Sequence, residues 1–421
     1  MKHGSADRNS RCRLLPGAGR AALRADFTRP GRRGDQDRTT IGGYGPAGLP
    51  SYRGVSGYYA QQNAGKRDIS IDLNVEGARE IALRLCDEAD VIVENFRPGT
   101  LAGFGLGYDD VAARNPHVVY ASISGYGQHG SWRARAAYAP TVQAETGITE
   151  MSNAHWGTPQ DRPRSDSLSH ADVYAGLHAA IAILAALNER SVTGRGQYID
   201  VAMAAVMLAV NERVHVDLSD VELGDEPPIL GATDCVFFIG PDGKRFISPV
   251  SLVSSLSFPF YLAAMRRPDL AGDPRFVTPT DRRRNLEALH EIVQSWIWTF
   301  TDIASLDAQL DEAKIPTGSL RDISEFAETD WASRWGATRT VPDGAGARIT
   351  VPGRPWHFTN AAKPNDSTDA TETTDTGAEP DRQPARQGEH NEEVLHELGY
   401  SDEEISDFTN RGVVVHTRDT H

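Results

Sequence analysis

Ala89-Asp-Val-Ile-Val-Glu94 runs straight into Asn95-Phe-Arg-Pro-Gly99, and His117-Val-Val-Tyr-Ala-Ser-Ile-Ser124 runs into Gly125-Tyr-Gly-Gln128. Each is a short apolar run that stops at a polar, glycine-containing turn, as a buried strand does. Asp68-Ile-Ser-Ile-Asp-Leu73 alternates polar and apolar residues, and Tyr198-Ile-Asp-Val201 is a further strand. Helical patterns lie between them. Asn74 is placed to cap a helix with Glu76 in its first turn and Ala78, Ile81, Ala82 and Leu85 on one face. Strands alternating with helices predict parallel βαβ units, whose ligands bind at the carboxyl ends of the strands. That expectation sets Asn95, Arg97 and the Gly125–Gly127 turn on the functional edge.

The longest apolar helix follows, Ser169-His-Ala-Asp-Val-Tyr-Ala-Gly-Leu-His-Ala-Ala-Ile-Ala-Ile-Leu-Ala-Ala-Leu-Asn188. Val173, Leu177, Ala180, Ile181, Leu184 and Leu187 fall at close to helical spacing. The run 173–187 contains His178, is shorter than a bilayer span and reads as a buried helix, so no membrane partner is expected. Asp172 sits at or near its first turn, where exposed N–H groups and the helix dipole favour an anion. Such a carboxylate either caps the helix or serves as a nucleophile, and a cap is the commoner use.

Composition narrows the function classes. The 421 residues carry 43 Lys and Arg against 58 Asp and Glu, a net charge of −15, which argues against a nucleic-acid partner. Cys12, Cys86 and Cys235 lie far apart and without CxxC spacing. They suggest neither a disulfide framework nor a metal site, and fit a reducing, cytoplasmic setting. The charge is uneven. Residues 1–50 carry nine Arg and one Lys against four Asp. Residues 1–33 show no apolar strand, and residues 1–40 form an anomalous basic segment. It reads as a transit peptide poor in Ser, a disordered basic arm, or a shifted reading frame.

The rest divides into a first part of a large domain over 41–215 and a smaller domain over 225–340. The latter is marked by a hairpin, Phe237 to Ile247, around the turn Gly240-Pro-Asp-Gly243. A Thr/Asp/Pro-rich flexible linker covers 359–387, and a tail over 388–421 regains helical pattern and returns to the large domain.

The motifs together resemble the family III CoA-transferases. They are Asn63-Ala-Gly-Lys-Arg67, Glu94-Asn-Phe-Arg-Pro-Gly99, Ser122-Ile-Ser-Gly-Tyr-Gly127, Ala137-Tyr-Ala-Pro140, Ala171-Asp172 and Thr193-Gly-Arg-Gly-Gln197. Asp273-Pro-Arg-Phe276, Ile315-Pro-Thr-Gly318 and Gly388-Glu-His-Asn-Glu-Glu-Val-Leu395 continue the series. The resemblance implies an α/β fold: a Rossmann-like large domain with a parallel sheet, a smaller α+β domain and an intertwined homodimer. It implies that Asp172 is the nucleophile in transfer of coenzyme A from an acyl-CoA donor to a carboxylic acid acceptor. The route would run through an aspartyl mixed anhydride and an aspartyl-CoA thioester. Tyr138 would contact substrate, and Lys66, Arg67, Asn95, Phe96 and Arg97 would bind coenzyme A, itself a substrate rather than a resident cofactor.

The chain departs from the family pattern in three places. Ala139 replaces the acidic residue usual after the tyrosine, a tetraglycine loop is missing from 231–265, which argues against oxalate as acceptor, and the opening strand is not evident. Three alternatives follow. A defective N-terminus would leave a catalytically impaired family member. An α-methylacyl-CoA racemase-like isomerase is disfavoured because Tyr138 stands where a histidine base is needed. A dinucleotide-binding oxidoreductase is disfavoured because Gly17-Ala-Gly-Arg-Ala-Ala22 follows a basic, Pro-broken stretch.

Overall fold

The computed structural model describes residues 23–28, 51–52, 55–155, 162–212, 214–219, 235–342, 348–357 and 383–416. Most of the basic segment 1–40 and the greater part of the linker 359–387 lie outside the described residues. The chain divides into two compact units, 1–211 with 330–421, and 212–329.

The first unit is built on parallel strands. β1 (Leu23–Thr28) pairs with β2 (Arg67–Asp72), in register from Leu23↔Arg67 to Thr28↔Asp72. This corrects the expectation that residues 1–33 hold no strand. Leu23, Ala25 and Phe27 alternate with Arg24, Asp26 and Thr28, a two-residue period that a search for one continuous apolar run passes over. After β2 comes α1 (Ala78–Asp87). Its cap is Gly77, at φ 95°, and not Asn74, whose backbone and side-chain N–H groups both donate to Asp72 Oδ1.

β3 (Val91–Glu94), β4 (Val119–Ser124) and, after α2 (Ala139–Glu145) and α3 (His170–Thr193), β5 (Gln197–Ala202) form a three-stranded parallel ladder with β4 in the middle. α4 (Met203–Val210) follows directly. The pairs Glu94↔Ser122, Ser122↔Asp200 and Ser124↔Ala202 align the carboxyl ends of the strands.

α3 runs antiparallel to these strands. Ala171, Ala175 and Ala179 share a core with Val201, while Ile183 and Ala186 pack with Val91 and Val119 nearer the strand starts. Arg190, in the last turn, donates to the Asp90 and His117 carbonyls at 3.2 and 2.9 Å. The helix start therefore lies at the carboxyl edge of the sheet. It is only half buried, contrary to the sequence expectation. Ala171, Ala175, Ala179 and Ala186 face the sheet, whereas Val173, Leu177, Ile181 and Leu184 are each more than half exposed. By length and composition alone α3 could also cross a membrane, the one such helix among the described residues.

The tail closes the first unit. The free edge of β2 bonds to residues 388–415 rather than to another strand. Gly388 N–H donates to Asp68 Oδ1 at 2.6 Å, Ser70 N–H to Asn391 Oδ1 at 2.9 Å, and Val415 N–H to Ser70 O at 3.0 Å. Val394, Leu395, Ile405 and Val413 join Ile69, Ile71 and Ile81 in one core.

In the second unit, strands Val236–Ile239 and Arg245–Ser248 form the expected hairpin, with Gly318–Ser319 as a third antiparallel strand. Helices Phe258–Met265, Leu286–Ile297 and Ile303–Glu312 supply its core residues Tyr261, Leu289 and Leu306.

Asn391 is 1 % exposed and also donates from Nδ2 to Val415 O at 3.1 Å. Asn391→Ala leaves the buried Ser70 N–H donor and the half-buried Val415 O acceptor without these bonds. We expect it to lower the unfolding free energy by roughly 2–4 kcal/mol, read as a lower urea midpoint at unchanged slope.

Candidate active site

Asp172 is the third residue of α3, which starts after Ser169. It is therefore a first-turn residue and not the cap. Its side chain reaches solvent, and among the described residues its carboxylate has no hydrogen bond or ion pair. Protein packed around it raises the carboxyl pKa above the usual 3.8 by desolvation.

The entry to the helix is held from several sides. Gln143 in α2 is buried, and its Oε1 accepts from Ala171 N–H at 3.3 Å. Asp166 accepts from Leu168 N–H at 2.9 Å and pairs with His170 Nε2 at 2.8 Å. His170 in turn stacks on Tyr174.

Asn95, Phe96 and Arg97 leave β3 at the same carboxyl edge. Phe96 packs against the core, while Asn95 and Arg97 are exposed. Glu94 Oε2 accepts from Phe96 N–H at 2.8 Å and fixes the loop. Burial raises the Glu94 pKa, the nearby Asp200 charge adds to this, and hydrogen bonds from Ser122 and the Phe96 backbone oppose it. The Arg97 guanidinium makes no hydrogen bond or ion pair among the described residues.

The next turn is equally constrained. Gly127 adopts φ +86°, and Gln128 N–H donates to Asp200 Oδ2 at 2.9 Å. A Cβ on Gly125 would collide with the Ala137 Cβ, so the turn packs against the segment leading to Tyr138. Tyr138 itself is 71 % exposed, with its N–H donating to Thr141 Oγ1 at 2.9 Å. Ala139 behind it is buried.

Lys66 and Arg67 occupy a different neighbourhood, at the start of β2. Lys66 Nζ donates to Asn63 Oδ1 at 3.2 Å and lines a cavity of about 220 Å³ with Arg67, Gln383, Glu389 and His390. Arg67 is held by Glu397 at 2.8 Å and Glu393 at 3.0 Å. Burial works to lower its pKa, and the two glutamates outweigh that and raise it. None of the residues lining this cavity lies on α3.

The edge of the ladder thus gathers Asp172, the Asn95–Arg97 loop and the turn leading to Tyr138. Sequence reading overlooked Glu94, Ser122, Gln143 and Asp200 as positioning groups. The available signal was a polar residue inside an otherwise apolar strand, with the parallel register setting Glu94, Ser122 and Asp200 side by side. Chemically, this edge offers an unpaired carboxylate, an unpaired guanidinium and rigid backbone turns.

A desolvated Asp172 carries a stability signature. Because its pKa is raised in the folded chain, its ionised form opposes folding, and the penalty is absent below the ordinary value of 3.8. Asp172→Asn is expected to unfold at an equal or higher temperature than the parent at pH 7. The difference should vanish as the pH falls below that value, as scanning calorimetry across pH would record.

Comparison with known proteins follows the same line. The family model for CoA-transferase family III matches residues 29–368. The chain is 30 % identical over 379 residues to a formyl-CoA:oxalate CoA-transferase of Streptomyces coelicolor, covering 85 % of this chain and 86 % of that protein. It is 31 % identical over 362 residues to an acetyl-CoA:oxalate CoA-transferase of Acetobacter aceti, covering 83 % and 85 %. A CAIB/BAIF family protein from Brucella suis superposes with a TM-score of 0.65 at 28 % identity, over 90 % of this chain and 92 % of that one. The chain belongs to CoA-transferase family III, and its activity is CoA transfer.

Proposed function

We propose that this enzyme moves coenzyme A between two carboxylic acids by covalent catalysis at Asp172. The observation that carries the reading is an unpaired, partly desolvated carboxylate in the first turn of α3, at the ligand edge of a parallel sheet. An Asp172 oxygen attacks the thioester carbonyl of the donor. The carbon–sulfur bond breaks, leaving a mixed anhydride and the CoA thiolate. The thiolate then attacks the Asp172 carbonyl and expels the donor as a free carboxylate. The acceptor carboxylate attacks the resulting aspartyl-CoA thioester, giving a second anhydride and the thiolate. Attack of that thiolate on the acceptor carbonyl releases the new acyl-CoA and regenerates Asp172.

The overall reaction exchanges one thioester for another, so the protein's task is orientation, oxyanion stabilisation and exclusion of water around the higher-energy anhydrides. Asn95 and Arg97 suit the coenzyme, with Phe96 as the apolar anchor of their loop. Tyr138 is exposed beside the turn and suits the acyl group. Lys66 offers a phosphate contact, whereas Arg67 would first have to leave Glu397 and Glu393. The relatives above are named for oxalate, so oxalate is the first acceptor to test despite the missing tetraglycine loop.

The exposed stripe Val173–Leu177–Ile181–Leu184 supports a homodimer in which a second copy covers α3. Sedimentation should give twice the chain mass, and Ile181→Asp should shift it to the single chain.

Mass spectrometry of the protein mixed with a panel of acyl-CoAs tests the chemistry. An acyl or CoA adduct on Asp172 that hydroxylamine removes is expected. Asp172→Ala should lose the adduct and on the order of a thousandfold or more in turnover. Adduct formation at another residue, or full turnover by Asp172→Ala, would sink the assignment.

A further inference from the structure

Two polar groups at the carboxyl edge of β4 stand without partners. Ser124 is 8 % exposed, and its Oγ meets no hydrogen-bond partner among the described residues. Four residues on, Gln128 Nε2 is buried and equally unpartnered. Buried polar groups in native proteins are nearly always paired, and the exceptions call for a reason. Here two exceptions fall within one five-residue turn, at the sheet edge where α/β proteins bind ligands.

The turn is held rigid. Gln128 N–H is fixed on Asp200 Oδ2 at 2.9 Å, and Gly125 O accepts from Ala204 N–H at 3.0 Å. The backbone that carries the two groups is therefore fixed ahead of any ligand.

Charge selects the ligand chemistry. The parallel register aligns Glu94 and Asp200 with Ser122 on one face of the ladder, and the two-residue strand period puts Ser124 on that same face. A carboxylate or phosphate brought here would meet two carboxylates, and like charges this close repel. A neutral ligand with a carbonyl oxygen escapes that repulsion. It can accept from the Gln128 amide nitrogen and the Ser124 hydroxyl. In coenzyme A the nucleotide end is anionic, while the pantetheine arm carries two neutral amides.

We propose that Ser124 and Gln128 form a binding subsite for a neutral amide of the pantetheine arm of coenzyme A. The subsite rests on the coenzyme A reading given above and adds two residues to it. Its role is to lay the arm along the carboxyl edge of β4 toward the Asp172 helix.

Calorimetric titration of the full chain separates this subsite from the rest of the coenzyme site. Two probes are used, coenzyme A and adenosine 3′,5′-bisphosphate, which has the nucleotide end without the arm. Ser124→Ala and Gln128→Leu are each expected to weaken coenzyme A about fivefold, as loss of one neutral hydrogen bond does. The bisphosphate affinity should stay as in the parent. Gln128→Glu keeps the shape, replaces the donor by a charged acceptor, and should weaken coenzyme A further.

Ser124→Ala should also melt no lower than the parent, because the deleted hydroxyl has no partner among the described residues. Variants that bind coenzyme A as the parent does overturn the proposal and leave a resident water as the partner of both groups. Equal weakening of both probes overturns it as well, since only general damage to the fold would produce that. A parent chain that binds neither probe overturns the coenzyme A reading itself, and this subsite with it.

Discussion

The hydrogen bond from Ser70 N–H to Asn391 Oδ1 joins positions 321 residues apart in the chain, and the larger unit depends on that closure. β2 has β1 on one side, and its other edge would be a row of open backbone groups. The tail covers it with a mixture of side-chain and backbone partners from His390, Asn391, Val413 and Val415. Ile69 and Ile71 then lie beneath Val394, Leu395 and Val413 and stay dry. Closing so long a loop costs only slowly more than closing a shorter one, about 0.6 kcal/mol per doubling of length. These bonds, laid over an apolar core, are enough to hold it.

With the large unit closed, α3 becomes the element that connects fold to chemistry. Alanines at 171, 175 and 179 leave little side-chain bulk between the helix and the sheet, so the two pack closely. Packing antiparallel to the strands brings the first turn of α3 to their carboxyl ends. The Asp172 carboxylate reaches the ligand edge through that alignment, with no hydrogen-bonding partner among the described residues to hold it. The opposite face of the same helix stays apolar and exposed. One helix thus carries the sheet contact, the reactive group and an apolar surface open to a further partner.

Much of this was legible in the residues. The strand expected over 68–73 is observed at Arg67–Asp72, and the run ending at Ser124 is the central strand of its ladder. The hairpin around Gly240–Gly243 formed as its turn residues required. Other features were hidden, each for a specific reason. β1 is a short alternating strand inside a basic stretch, and its pairing with β2 is a long-range contact. Asn74 has a capping side chain, but Asp72 competes for it and Gly77 takes the left-handed position at the helix start. Arg67 was expected to bind coenzyme A, and only the folded tail brings Glu393 and Glu397 to it.

The sequence by itself determined the α/β class, the order of the elements and the presence of a carboxylate at the start of the apolar helix. Those features follow from local periodicity, turn chemistry and a series of short motifs, all properties of neighbouring residues. The tertiary structure decided which polar groups share a surface. Strand register set Glu94, Ser122 and Asp200 in a row, and packing direction set Asp172 at the same edge. It also decided which cations are already neutralised and which hydroxyl and amide lack partners among the described residues. Register, desolvation and hydrogen-bond satisfaction depend on residues tens to hundreds of positions apart, so no local pattern records them.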